Sequence, residues 1–146
     1  SLLGIETLSL RMNKHIENAL KVTKWLESHP AVDKVTYAGL ESSPYFKRVE
    51  KICPKGAGGL FTISLKGGYD SCVKFVDNLD IFSPVANLGD SRSLVIHPAS
   101  TTHRQLTTEQ QRAAGTGPEI VRISIAIEDS DDLISDLKQA LDKSVK

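Results

Sequence analysis

Val121-Arg122-Ile123-Ser124-Ile125-Ala126-Ile127 is the stretch whose reading decides the fold. Val121, Ile123, Ile125 and Ile127 alternate with Arg122, Ser124 and Ala126. A period of two puts the apolar side chains on one face of a strand and leaves a guanidinium among small residues on the other. An arginine so placed has room to reach something in front of it. Periodicity alone allows a solvent-facing surface arginine equally well.

Upstream of this strand, polar groups able to hold an anion are crowded between short apolar runs. Asn87-Leu88-Gly89-Asp90 reads as a tight turn, and Ser93-Leu94-Val95-Ile96 as a strand leading into His97-Pro98-Ala99-Ser100-Thr101-Thr102-His103-Arg104. The fork of Arg122 suits a carboxylate bidentately. The Asn87 amide, the Thr102 hydroxyl and the backbone N–H groups of the turn around Leu88 are neutral donors that could join it. Bringing them together is a matter for the fold.

Around this centre the pattern alternates between helix and strand. Residues 1–28 carry Ile5, Leu8, Met12, Ile16, Ala19, Thr23 and Leu26 at spacings of three and four, one stripe of a long helix stopped by Pro30. Leu2, Leu3 and Leu10 fall off that stripe, which points to a second packed surface against a neighbouring domain. Residues 32–37 and 60–65 read as strands, with a short helix at 45–53 between them. Lys66-Gly67-Gly68 reads as a turn whose glycines supply positive φ. The helix at 70–79 is expected to bury Cys72, Val73, Val76 and Leu79, and Ile81-Phe82 to form a short strand ended by Pro84. Thr107-Thr108-Glu109-Gln110 fits a capping box at the start of a helix that Gly115 ends. The acidic run 128–132 opens a last helix that buries Leu133, Ile134, Leu137, Ala140 and Leu141, its charge welcomed by the helix dipole. The order of elements predicts an α+β domain: a mainly antiparallel sheet of four to five strands with helices packed on one face.

A chain of 146 residues suits a single domain that buries about two-thirds of its unfolded surface. Lys and Arg number 18 and so do Asp and Glu, so no global field draws nucleic acid or an anionic membrane. No apolar run approaches bilayer length and no signal peptide opens the chain. Cys53 and Cys72 lack a Cys-x-x-Cys pattern and suit reduced thiols in a cytoplasmic protein. Met12 is the only methionine, so Ser1 is not a translation start and a piece of a longer polypeptide is expected.

The residues do not assemble a reaction apparatus. The four histidines lack metal-ligand spacing, and there is no Gly-x-Ser-x-Gly elbow. Cys72 lies on an apolar stripe, where a buried thiol is the ordinary reading. The glycine-rich run 56–59 precedes a strand rather than a helix, the wrong order for a phosphate cradle.

In order along the chain, Asn87-Leu88-Gly89-Asp90 with Ser93-Leu94, His97-Pro98-Ala99 with Thr102-His103-Arg104, Ala113-Ala114-Gly115, Val121-Arg122-Ile123-Ser124 and Ile127-Glu128-Asp129 strongly resemble the C-terminal region of the Cys/Met-metabolism pyridoxal-phosphate enzymes. Within that family the chain looks most like the O-acetylhomoserine sulfhydrylase branch. Residues 4–11 and Asn18-Ala19 resemble the helix that leads from the family's large domain into its small one. The resemblance implies that residues 1–146 are the small C-terminal substrate-binding domain of a fold-type I enzyme. Helix 1–28 would connect to a preceding domain that holds pyridoxal phosphate on a lysine. No lysine here stands in the family's Ser-x-Thr-Lys setting, so no covalent cofactor attachment is expected. The resemblance makes Arg122 the grip for an amino acid's α-carboxylate, with Asn87 and Leu88 in the turn beside it and Thr102 in the same cavity. It implies O-acetylhomoserine and sulfide or a thiol as substrates and a homodimer or homotetramer as the whole enzyme. Cystathionine-type chemistry and a free-standing amino-acid-binding regulatory module are the alternatives.

Overall fold

The computed structural model describes residues 2–145. Its centre is a four-stranded, wholly antiparallel sheet of β1 (Val32–Thr36), β2 (Leu60–Leu65), β3 (Leu94–Ile96) and β4 (Ile120–Ser124), in the order β1-β2-β4-β3. The 121–125 alternation is the reason β4 sits inside the sheet. Val121, Ile123 and Ile125 are fully buried, together with Phe61, Ile63 and Leu65 of β2. Their side of the sheet is covered by α2 (Leu8–Ser28), α4 (Gly68–Asp77) and α6 (Ser130–Ser144). The other side presents Thr62, Ser64, Arg122, Ser124 and Ile96, all half-buried. The expected α+β architecture, helices on one face, is therefore the one observed.

The expected short helix between β1 and β2 forms as α3 (Phe46–Ile52), while several other expectations are corrected locally. Ile81-Phe82 pairs with no strand, and only a single parallel bridge, Ser83 to Leu94, forms nearby. The Asp136 carboxylate takes the backbone N–H groups of Asp80 (3.0 Å) and Ile81 (2.8 Å), which a ladder would have needed. The helix of 1–28 is two pieces, α1 (Leu2–Glu6) and α2, parted at Thr7 where the backbone leaves helical geometry (φ −100°, ψ 1°). Ser1 lies outside the described residues. The buried stripe of α2 begins only at His15 and runs through Asn18, Ala19, Val22, Thr23 and Leu26. Ile5 and Leu8 are exposed, like Leu2, Leu3 and Leu10. The helix outruns the core of this chain, so its first turns have nothing to pack on.

The expected helix 70–79 is α4 at Gly68–Asp77, so Leu79 lies past its end; Phe75 is fully buried beside Cys72 while Val73, Val76 and Leu79 are half-buried. The inward arc is thus rotated towards Phe75, whose large apolar surface gains most from burial. Ile127 is exposed rather than inward, because the alternation stops once the strand turns away after Ile125. The last helix buries Leu133, Leu137, Ala140 and Leu141 as read, with Ile134 at the margin. Its acidic start is specific: Asp129 is the N-cap and accepts the N–H groups of Asp131 and Asp132. The Thr107 capping box on α5 (Thr108–Ala113) forms in both directions. The helix ends where Gly115 takes a positive φ of 72° that a Cβ would resist.

Candidate functional site

Arg122 stands in the middle of β4, opposite Thr62 of β2 and Ile96 of β3. Its neighbours along the strand face inward, so it faces outward from the side of the sheet without helices. Among the described residues its guanidinium has no ion pair and no hydrogen bond to the protein. A half-buried cation without an anion is an open valence, since its five N–H groups are donors only.

Asn87 comes to it from the turn before β3. The two line one shallow hollow with Val85, Ala86, Ile96 and Ser124. Gly89, at φ 71°, lets this turn reverse, and Asp90 closes it by accepting the Arg92 N–H at 3.0 Å. The Asn87 Oδ1 accepts the Leu88 N–H at 2.8 Å. Because an N–H can only donate, the facing atom is the oxygen, and the amide nitrogen is left without a protein partner among the described residues. Arg122 and Asn87 together therefore offer donors of one kind, suited to an acceptor such as a carboxylate. The hollow holds about 10 Å³, room for roughly one water molecule. It is one wall of a site and not an enclosure.

The other two expected residues lie apart from that wall. Leu88 is 65 % exposed and does not line the hollow. Thr102 sits on the exposed turn after the 3₁₀ helix Pro98–Ser100, where its hydroxyl is 2.8 Å from the His103 Nδ1. His97 of the same motif has a structural part. Its ring is buried, with Nε2 2.8 Å from the Pro118 carbonyl and Nδ1 2.9 Å from the Ser100 hydroxyl. The neutral tautomer that donates from Nε2 satisfies both. Burial holds its pKa below the ordinary histidine value, against the opposing pull of the Pro118 carbonyl. Burial likewise pushes the Cys72 thiol up to about 12, with Glu119 adding to the rise, which makes it inert.

What the sequence reading missed is what holds the wall in place. Glu128, read as helix-start charge, turns back to Ser93. One carboxylate oxygen accepts the Ser93 N–H at 2.7 Å and the other its hydroxyl at 2.8 Å. The same hydroxyl accepts the Ala126 N–H at 2.9 Å. Behind this, Asn18 of α2 donates to the carbonyls of Ala126 and Glu128, and His15 Nδ1 lies 2.6 Å from the Ile125 carbonyl. Buried polar residues on an apolar helix stripe, His15 and Asn18, were the available signal, since such groups need partners.

The Arg122 wall itself offers no Schiff-base partner for a pyridoxal phosphate. Among the described residues every lysine is exposed except Lys14, which is half-exposed and lies 3.6 Å from Glu17. None lines the Arg122 wall. Among the described residues, no helix is long and apolar enough to cross a membrane.

Fold and wall together define a small α+β unit with hydrogen-bond donors on an open sheet face. The chain belongs to the Cys/Met metabolism PLP-dependent enzyme family, whose model matches residues 1–142. It is similar to O-acetyl-L-homoserine sulfhydrylase 1 of Thermus thermophilus, at 47 % identity over 96 % of this chain and 33 % of the relative. An L-methionine gamma-lyase of Treponema denticola is 40 % identical over 98 % of this chain and 35 % of the relative. The crystal structure of a putative O-acetylhomoserine (thiol)-lyase from Campylobacter jejuni, which contains a pyridoxyl-lysine monophosphate, superposes with a TM-score of 0.89. It is 45 % identical, and the match covers 97 % of this chain and 34 % of that one. The chain thus spans about a third of the length of the curated relatives it matches.

Proposed function

We propose that residues 1–146 act as the C-terminal, substrate-gripping domain of an enzyme that exchanges the acetyl group of O-acetyl-L-homoserine for sulfide or a thiol. The products would be homocysteine or methionine. The observation that carries this reading is the Arg122 guanidinium, without a protein partner among the described residues, beside the exposed Asn87 amide. Arg122 takes the α-carboxylate through two parallel N–H bonds, Asn87 adds a third donor, and the clamped carboxylate fixes the direction of the Cα–H bond. The shallow wall and the exposed Ile5, Leu8 and Leu10 are supporting features. They suit a cofactor-bearing domain that closes the site and covers the first turns of α2. The whole enzyme works in the cytoplasm as a homodimer or homotetramer. Sulfhydrylase chemistry is preferred to γ-lyase chemistry because the sulfhydrylase relatives are more similar, at 47 % against 40 % identity.

The test is Arg122→Ala in the full-length protein. Truncating one partner of a desolvated charge pair costs about 2–5 kcal/mol, so kcat/KM should fall by roughly 30-fold to several thousand-fold. Lysine at 122 should restore little, because it lacks the planar fork. A kcat/KM for O-acetyl-L-homoserine within about threefold of wild type overturns the reading. A saturable micromolar heat from free amino acids added to the 146-residue chain alone would favour a binding module instead.

A further inference from the structure

We propose that Glu128 is the positioning residue of the Asn87–Arg122 wall, fastening the donor turn to the strand that carries the guanidinium; this rests on the carboxylate-gripping reading above. Three observations converge on it. First, between Pro84 and Arg92 every hydrogen bond given by the backbone is local among the described residues: Val85 to Ser83, Leu88 to its neighbour Asn87, Arg92 to Asp90. Nothing within the turn itself sets its height above the sheet. Second, the segment is tied down at Ser93, where both oxygens of one carboxylate are spent on one residue, at 2.7 and 2.8 Å. Ser93 has no exposed surface, so water cannot substitute for either bond. Third, the 125–128 segment that carries Glu128 is itself anchored. Asn18 and His15 hold its carbonyls from α2, and the Gly59 carbonyl accepts the Ile125 N–H at 2.8 Å.

The turn is thereby referenced to the same strand as the arginine. Leu94 pairs with Ser124 in the ladder, and one step further out, where strand pairing ends, the Ser93 hydroxyl takes the Ala126 N–H in its place. The clamp continues the β3–β4 contact past the end of the ladder through the Ser93 side chain. The other end of the loop hangs on the same place: the Ser83 N–H donates to the Ser93 carbonyl and the Ser83 carbonyl accepts the Val95 N–H, both at 3.0 Å, so an error at Ser93 reaches Asn87 from both sides. A bidentate grip tolerates little such error, since two parallel N–H bonds and the Asn87 donor must meet one carboxylate together, and binding weakens when they do not.

The experiment compares Glu128→Gln, Ser93→Ala and Arg122→Ala in the full-length protein with Asp136→Asn as a structural control. Asp136 holds the 80–81 turn from α6 and lies outside the wall. Steady-state kinetics with O-acetyl-L-homoserine and thermal melting are read side by side. Glu128→Gln puts an NH₂ against the Ser93 hydroxyl, leaving its proton unmatched. The expected result is a KM raised about tenfold with kcat changed less than threefold. Asp136→Asn should lower the melting temperature at least as much while KM stays put. Ser93→Ala supplies the same reading should the glutamine variant fail to accumulate. A KM within twofold of wild type for the Glu128 and Ser93 variants, with Arg122→Ala impaired, overturns the positioning role alone. If Arg122→Ala is also unimpaired, both readings fall together.

Discussion

The two faces of β4 share one backbone and differ in almost everything else. Val121 and Ile123 are fully buried against helices, whereas Arg122 and Ser124, one residue away, are half-buried with no helix over them. The inward face holds the fold and the outward face is left free for chemistry, so a substitution on one should register where a substitution on the other does not.

The sharpest break of that contrast is Ile123→Ala, which removes fully buried methyl groups at the centre of the sheet. It should cost about 2–5 kcal/mol in urea denaturation of the chain, and a cost below about 1 kcal/mol would mean the inward face is not the load-carrying one. A smaller effect is expected from His97, at the margin between the faces. Its pKa is lower in the folded than in the unfolded state, so its contribution is present above about 6.5 and is lost as pH falls below that value towards the depressed one. One proton limits the slope to about 1.4 kcal/mol per pH unit. The urea midpoint should fall more between pH 7.5 and pH 5.5 in the wild type than in His97→Gln, and parallel curves would remove the histidine from the account. Smallest of all, Thr62→Ala on the outward face, opposite Arg122, should change stability by less than about 0.5 kcal/mol. A larger loss there would show that the open face contributes to holding the sheet.

The same contrast explains what could be read in advance. The β4 strand, the capping box at Thr107 and the stripe of the last helix are local patterns, written within a few residues of one another, and the fold follows from them. The Arg122 wall was legible in part, because a guanidinium between small residues is a local oddity. Its supports were not. Glu128 meets Ser93 across 35 residues, Asn18 meets Ala126 across 108, and Asp136 disarms the expected 81–82 strand from more than 50 away. Each of these looks on its own like a solvated charge or a polar interruption. Only closure of the chain assigns the partner, and satisfying a buried donor is a global requirement that no window of sequence expresses.

The two thiols are free, Cys53 exposed and Cys72 buried. Their difference makes the molecule its own stopwatch. An alkylating reagent reaches the exposed Cys53 without any opening of the fold, whereas Cys72, fully buried and held protonated, can react only in molecules whose core has come apart. Mass added in two steps, one prompt and one slow, records how often the interior opens.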